Sequence, residues 1–193
     1  MVCVSSVNPV PPSPKVRRFD EHILIHVTDL YRAARRLTHQ DSDAEDLVQE
    51  TCLRAFKALD QLRHPRAAKV WVFSILRSVY LRETDRQPAK SAQVSLDDID
   101  ASLLSSVEVL RDAYESLPPT VHVLREEVRR AVLKLPLRYR EAVVLAHIGG
   151  FSYREIAQIL HLPLGTVMSR LFRGRRLLRA LLRDVRTPSG LAR

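Results

Sequence analysis

Apolar residues recur every three or four positions along most of this chain, the spacing that places them on one face of an α-helix. The first such stretch predicts a helix over His22–Thr38, whose apolar face contains Ile23, Val27, Leu30, Ala34 and Leu37. A second helix is expected to begin at Ser42 or Asp43, because a short oxygen-bearing side chain there can accept hydrogen bonds from the first turn's free amides. It ends near Leu59. A loop containing Pro65 then precedes a third helix over Lys69–Arg86.

The same spacing returns in the C-terminal third of the chain. It predicts helices over Val121–Leu135 and Arg138–Ile148, and the two glycines that follow can adopt the left-handed conformation that ends a helix. A shorter helix comes next, with its apolar face at Ile156, Ala157 and Leu160. Pro163 interrupts the pattern and suits the first turn of a new helix, on which Val167 and Leu171 continue the apolar face. This arrangement predicts a helix-turn-helix over residues 152–176.

Three segments lack the helical pattern. Residues 1–17 contain four prolines and are expected to form a flexible tail. Residues 88–121 are rich in Ser and Asp and are expected to form a flexible acidic linker, while residues 187–193 form a short tail. The predicted fold class is therefore all-α, with two small helical domains at residues 18–87 and 122–186.

Positive charge is concentrated in the second of these domains. The 193-residue chain has a formal net charge of +9, which suggests an anionic partner without selecting among DNA, RNA and membrane. Residues 122–186 hold 14 Lys and Arg against 5 Asp and Glu, whereas residues 18–86 hold 12 against 11. The helix-turn-helix therefore lies in the basic part of the chain, as expected of a helix that enters the DNA major groove.

Several other function classes receive no support. The two cysteines, Cys3 and Cys52, are too few and too scattered for a disulfide framework or a zinc site, and Cys52 is expected to be buried and inert. No metal or organic cofactor is expected. The N-terminal residues do not resemble a signal peptide, and no stretch approaches the roughly 20 apolar residues of a membrane span. We therefore expect a cytoplasmic protein that does not insert into membranes.

The second and third helices of the first domain carry surfaces of opposite chemistry. The second helix has an acidic face, which repels phosphate and suits either water or a basic protein surface; its members are Asp43, Glu45, Asp46, Gln49, Glu50 and Arg54. The third helix mixes cations with aromatic rings. Cations neutralise phosphate and aromatic rings can stack on unpaired bases, although Trp71 and Phe73 are better explained as core residues.

In this order, the segments resemble bacterial sigma factors of the extracytoplasmic-function type, which are specificity subunits of RNA polymerase. DAEDLVQETCLRAFKAL is similar to their region 2.1–2.2, WVFSILRSVYLRETDR to their region 2.3–2.4, and the segment from LPLRYREAVV to RRLLRALL to their region 4. The resemblance implies an alternative sigma factor that is not an enzyme. It would bind the β and β′ subunits of core polymerase, recognise the −10 and −35 elements of promoter DNA, and be controlled by an anti-sigma factor.

The resemblance also assigns roles to residues that match the family's motifs. Docking on core polymerase is expected of Asp43, Asp46, Gln49, Glu50 and Arg54. Contact with the −10 element is expected of Arg66, Lys69, Arg77, Ser78, Tyr80 and Arg82. Contact with the −35 element is expected of Ser152, Tyr153, Arg154, Thr166, Ser169, Arg170 and Arg173. Arg175, Arg176 and Arg179 are expected to contact phosphates or remain solvated.

Three positions depart from the family pattern, and one of them is Arg138, which lies where an acid is frequent after Leu-Pro. Ser78 lies where Asn is frequent, and His161 lies in the turn where Gly is frequent, so His161 either adopts a strained left-handed conformation or the turn differs. The nearest alternative function is a dimeric helix-turn-helix transcriptional regulator. A nucleic-acid enzyme would need carboxylates clustered to hold a metal, or a nucleophile with converging arginines. Acids occur at positions 43, 45, 46 and 50, but Asp46 and Glu50 share their face with Arg54, and no nucleophile is apparent; His22 and His26 lack a third metal ligand.

Overall fold

The computed structural model describes residues 13–85 and 119–186, so most of the predicted linker and the C-terminal tail lie outside the described residues. Within these ranges the regular structure is entirely helical, which confirms the predicted fold class. The helices are α1 (Pro14–His22), α2 (Val27–Leu37), α3 (Asp41–Lys57), α4 (Ala68–Asp85), α5 (Pro119–Leu133), α6 (Leu137–His147), α7 (Tyr153–Leu160) and α8 (Leu164–Arg186). None of them is long and apolar enough to cross a membrane.

Helix α1 shortens the predicted N-terminal tail. The Ser13 hydroxyl accepts a hydrogen bond from the Val16 amide at 3.3 Å, and Pro14 occupies the first helical position, where its missing N–H costs nothing. Phe19 anchors this helix, since it is 2% exposed and packs edge-on against Phe56 with ring centroids 5.3 Å apart. The prediction of a tail is therefore wrong for residues 14–17.

The single helix predicted over His22–Thr38 is divided by a turn. Leu24–His26 forms a 3₁₀ turn, and α2 begins at Val27. Ile23 and Val27 are both buried in the same core. A 3₁₀ turn has three residues, so the apolar spacing continues across the change of direction and the sequence pattern does not reveal it.

Helix α3 begins before the predicted cap. It starts at Asp41, with Gln40 as an N-cap residue that makes no side-chain capping bond. The start is stabilised instead by charge, because Asp41 and Asp43 lie in the first turn, near the positive end of the helix dipole, and Asp41 pairs with Arg35 at 3.0 Å. Helix α4 agrees with its prediction to within one residue at each end, and the preceding loop contains a 3₁₀ turn at Pro65–Ala67.

Close backbone packing joins the helices of the C-terminal half. A Cβ atom on Gly174 would lie 2.8 Å from Val143 Cγ2 and 3.3 Å from Tyr139 Cβ, so the glycine allows α8 to approach α6. Gly150 has a φ of +64°, in agreement with its predicted role after α6. Val167 and Leu171 are 0% and 1% exposed and complete this core.

The two halves of the chain also pack against each other and share one hydrophobic core. Phe73 of α4 and Phe151, which precedes α7, meet edge to face with ring centroids 4.8 Å apart. The C-terminal half also supplies donors to the end of α2. Arg140 donates to Leu37 O at 3.3 Å, and Arg129 donates to His39 O at 3.0 Å. Arg140 thereby satisfies a carbonyl that the end of α2 leaves without an internal partner, and Arg129 binds the chain just beyond it.

Candidate polymerase and DNA interfaces

The acidic face predicted on the second helix is a continuous surface of α3. Asp43 and Asp46 are exposed, while Gln49 and Glu50 are half-buried. Arg54 Nε donates to Glu50 Oε1 at 2.5 Å, so the one cation of the set is paired within it. The surface forms because these residues follow helical spacing opposite the buried side of α3. Its remaining negative charge favours a cationic protein surface as partner.

Glu83 of α4 extends this acidic surface, although the helical spacing of α3 does not predict it. Partial burial raises its pKa, and the nearby carboxylates of Asp46 and Glu50 raise it further. Glu83 is distant from these residues along the chain and joins them only because α3 packs beside α4. We call Asp43, Asp46, Glu50 and Glu83 the acidic surface.

The residues expected to contact the −10 element fall into two groups. Arg66, Ser78 and Arg82 are exposed. Lys69, Arg77 and Tyr80 make contacts within the protein instead. The Tyr80 ring is 6% exposed, its hydroxyl donates to Leu37 O at 3.2 Å, and burial raises its pKa.

The two cations of the second group lie at the contact between the halves. Arg77 Nε donates to Glu141 Oε1 at 2.8 Å, and the Glu141 side chain is only 7% exposed. Lys69 Nζ lies 2.9 Å from Asp29 Oδ2 and 5.4 Å from the centroid of the Phe151 ring. In this arrangement both cations serve intramolecular contacts, and α4 does not present a full DNA-binding face.

The first helix of the predicted helix-turn-helix begins with a capping box. The Ser152 hydroxyl accepts from the Glu155 amide at 3.3 Å, and the Glu155 carboxylate accepts from the Ser152 amide at 2.8 Å. The Ser152 hydroxyl also donates to Glu155 Oε2 at 2.7 Å, and this bond, together with the one from the Ser152 amide, lowers the pKa of Glu155. Ser152 therefore stabilises the helix start, whatever further contact it makes with DNA.

Arg175 has an internal role in addition to the phosphate contact or solvation expected from the sequence. It donates to His147 Nε2 and to the Tyr153 hydroxyl, each at 3.3 Å, and thereby links α6, α7 and α8. Burial lowers the pKa of His147, and the Arg175 charge lowers it further. Arg154, Arg176 and Arg179 are exposed.

The turn between α7 and α8 places His161 in the left-handed region, with φ 50° and ψ 49°. This is the strained alternative of the two that the sequence left open. The His161 and Leu162 amides then donate to carbonyls of the last turn of α7, as in a glycine-ended helix. The turn therefore keeps the geometry of a glycine-containing turn although His161 occupies the glycine position.

Helix α8 exposes two of its four predicted −35 contacts to solvent. Ser169 and Arg173 are exposed, whereas Thr166 and Arg170 are half-buried. The Ser169 hydroxyl also donates to Thr166 O at 2.9 Å.

The same helix exposes apolar side chains for which the sequence predicts no role. Leu164, Met168 and Phe172 follow one another at intervals of four residues and are 39%, 50% and 70% exposed. Such a row can be recognised in a sequence only when the buried side of the helix is known.

Within residues 13–85 and 119–186, no three His, Cys, Asp or Glu side chains are grouped closely enough to hold a metal ion. Cys52 is 0% exposed, and burial raises the pKa of its thiol to about 12, in agreement with the predicted inert cysteine.

Comparison with known proteins identifies both halves. Residues 23–87 match the family model described as Sigma-70 region 2, and residues 125–178 match the model described as Sigma-70, region 4. The ECF RNA polymerase sigma factor EcfG of Rhodopseudomonas palustris (strain TIE-1) is 35% identical over 163 residues, which cover 84% of this chain and 83% of that protein. The ECF RNA polymerase sigma-E factor of Escherichia coli (strain K12) is 36% identical over 69% of this chain and 70% of that protein.

Two solved structures share the fold. One is CnrH in complex with the cytosolic domain of CnrY, with a TM-score of 0.60 and 27% identity over 88% of this chain and 90% of that chain. The other is the sigma factor RpoE in complex with the anti-sigma factor NepR from Bartonella quintana, with a TM-score of 0.62 and 25% identity over 86% of this chain and 98% of that chain. With its region 2 and region 4 halves in order, this chain belongs to the extracytoplasmic-function sigma factors of the sigma-70 family, a family of non-enzymatic transcription initiation factors.

Proposed function

We propose that this sigma factor docks on core RNA polymerase through the acidic surface and contacts promoter DNA through α4 and the helix-turn-helix. The observation that carries the proposal is the charge separation between the halves: the acidic surface lies on α3 and α4, while exposed arginines lie along α8. A surface with several carboxylates repels DNA and suits a cationic protein surface. Core polymerase, including its β and β′ subunits, is the partner that the family implies, and the cytoplasm is the corresponding location.

Recognition of the −35 element is assigned to α7 and α8. In a helix-turn-helix, the second helix enters the major groove with its first turns near the base edges. Thr166, Ser169 and Arg173 lie in the first three turns of α8, and Tyr153 and Arg154 lie at the start of α7 beside the expected phosphate backbone. Arg170 is half-buried, so we expect its guanidinium to contact a phosphate at the rim of the groove.

Recognition of the −10 element requires the two halves to separate. Arg66, Ser78 and Arg82 are accessible in the packed arrangement, but Lys69, Arg77 and Tyr80 are engaged within the protein. We infer that the packed arrangement is a resting form, and that binding to polymerase and promoter DNA replaces the contacts between the halves. Separation would free Arg77 and uncover Lys69, whereas the Lys69–Asp29 pair and the Tyr80 hydrogen bond to Leu37 O lie within the first half, so DNA contact by Lys69 and Tyr80 also requires these bonds to exchange.

Control by an anti-sigma factor is the remaining part of the proposal. NepR, the anti-sigma factor bound to RpoE, is the support from similar structures. An anti-sigma factor that binds this chain would stabilise the packed form if it contacts both halves at once, because a ligand shifts an equilibrium toward the state that it binds more tightly.

The proposal is tested by reconstitution with core enzyme. The purified chain and core polymerase are incubated with a library of fragments from the source genome, and run-off transcripts are sequenced. We expect transcripts that start at a shared promoter pattern only when the chain is present. If the chain does not join core polymerase, or binds DNA as a dimer without it, the proposed function is wrong.

Paired variants then test the separate surfaces. Asp46→Ala with Glu50→Ala is expected to weaken co-elution with core polymerase, while the control Asp60→Ala, which removes an exposed carboxylate outside the acidic surface, is expected to leave it unchanged. Arg170→Ala is expected to lower −35-dependent initiation and to reduce the salt dependence by about one phosphate contact. Unchanged initiation by Arg170→Ala over a range of salt would show that this cation has no DNA role.

A further inference from the structure

The recognition helix α8 carries a row of exposed apolar side chains in addition to its predicted DNA contacts, which are all polar. Leu164, Met168 and Phe172 lie on its solvent-facing side, and their exposed fractions rise along the row from 39% to 70%. Successive members are four residues apart, so the row spans about 12 Å along the helix axis at a rise of about 1.5 Å per residue. Among residues 13–85 and 119–186, no packing contact covers these three side chains, and a ligand that covers them would be favoured by the hydrophobic effect.

The surroundings of the row indicate which kind of ligand covers it. The row is one residue wide and lies on the convex surface of a single helix, with exposed Ser169 and Arg173 beside it and exposed Arg176 one turn beyond Phe172. A helical protein partner would need a broader apolar patch or a groove to bury its own apolar face. The DNA major groove instead accepts one convex helix, provides phosphates for flanking arginines, and presents the C5 methyl of thymine as an apolar group.

A glycine beside the row supports the same ligand independently. A Cβ on Gly165 would meet no atom within 4 Å, and the backbone of Gly165 is not in the left-handed region, so neither packing nor conformation within the protein requires glycine there. Glycine loses more backbone freedom on folding than alanine, so its use at this position has an entropic cost inside the protein. An absent side chain at this position lets the backbone of α8 come closer to whatever lies against Leu164 and Met168.

We propose that Met168, supported by Phe172 and by the close approach at Gly165, contacts the C5 methyl group of a thymine in the −35 element and selects a T·A pair there. This inference rests on the proposed function, because it needs α8 to lie in the −35 major groove. It assigns sequence selection to an apolar side chain, in addition to the polar residues considered above. The proposal therefore predicts that initiation depends on the C5 methyl group of one thymine.

The test removes that methyl group from the DNA. A promoter found by the reconstitution is synthesised with each −35 thymine replaced in turn by deoxyuridine, which keeps the base pair and lacks only the C5 methyl. Run-off initiation by the full chain with core polymerase is expected to fall about fourfold at one such position, the effect of one buried methyl-sized group. With Met168→Ala, initiation on the thymine promoter is expected to fall by a similar factor, and the deoxyuridine effect at that position is expected to disappear.

A matched control variant and separate negative outcomes for this proposal and for the proposed function make the experiment decisive. Leu177→Ala removes another exposed leucine of α8, outside the row and more than three turns from its start, and is expected to keep the full deoxyuridine effect. Equal deoxyuridine effects in the wild-type and Met168→Ala chains would overturn the proposal. Full initiation by both Met168→Ala and Phe172→Ala would also overturn it and would favour a protein partner for the row. Absence of any promoter-dependent transcript with the wild-type chain would instead contradict the proposed function.

Discussion

The ion pair between the two halves provides the sharpest test of the packed arrangement. Glu141→Gln preserves the size of the side chain and removes its charge, so Arg77 faces a neutral amide in a place where Glu141 is 7% exposed. Loss of one partner of a buried pair typically costs about 3–5 kcal/mol, because the other charge remains desolvated. Arg77 keeps 24% of its side chain exposed, and water therefore screens part of this effect. We expect a cost of about 2 kcal/mol to the packed form.

This cost acts on the equilibrium between packed and separated halves, since Arg77 regains its hydration when they separate. A change of about 2 kcal/mol shifts that equilibrium by a factor of about 30. The assay is energy transfer between dyes on cysteines introduced at the exposed Lys57 and Arg179, in a Cys3→Ser chain. The separated population should rise in Glu141→Gln. It should not rise in Asp60→Asn, which alters an exposed ion pair with Lys15 at 3.6 Å.

A double variant tests the physical cause. Arg77→Met with Glu141→Leu removes both charges and keeps apolar volume, so we expect its dye distances to match those of the wild-type chain. If this double variant opens as far as Glu141→Gln, an uncompensated charge is not the reason for opening. If Glu141→Gln does not open at all, the ion pair does not hold the halves together and our reasoning on the resting form is refuted.

Three further predictions concern single positions. His161→Gly is expected to raise the free energy of unfolding by about 0.5–1 kcal/mol because glycine removes the strain of the left-handed turn, and a lower urea midpoint would contradict this. Gly174→Ala is expected to destabilise the C-terminal half by about 1–3 kcal/mol, since the new Cβ would lie 2.8 Å from Val143 Cγ2; an unchanged melting temperature would show that α8 can shift freely. In a Cys3→Ser chain at pH 8, alkylation of Cys52 is expected to be about a thousandfold slower than in the urea-unfolded chain, because a pKa of about 12 leaves almost no thiolate; comparable rates would contradict its burial.

Much of the local structure follows from the sequence because it depends on neighbouring residues. The boundaries of α4 and the position of the helix-turn-helix follow from apolar spacing and from Pro163, which depend on short-range geometry. The division between α1 and α2 does not follow from the sequence, because a 3₁₀ turn leaves the apolar spacing nearly intact. The start of α3 was placed at an expected capping side chain, whereas first-turn charge stabilises it in the structure.

The candidate sites also combine features that the sequence predicts with features that depend on tertiary packing. The acidic residues of α3 share a face by helical periodicity alone, so the sequence determined most of that surface, together with the basic character of α8. Only the tertiary structure added Glu83 to the surface, exposed the Leu164–Phe172 row and engaged Arg77 with Glu141. The physical reason is distance along the chain. Periodicity relates residues within one helix, whereas burial and pairing between helices depend on which faces pack together, and no local pattern specifies that choice.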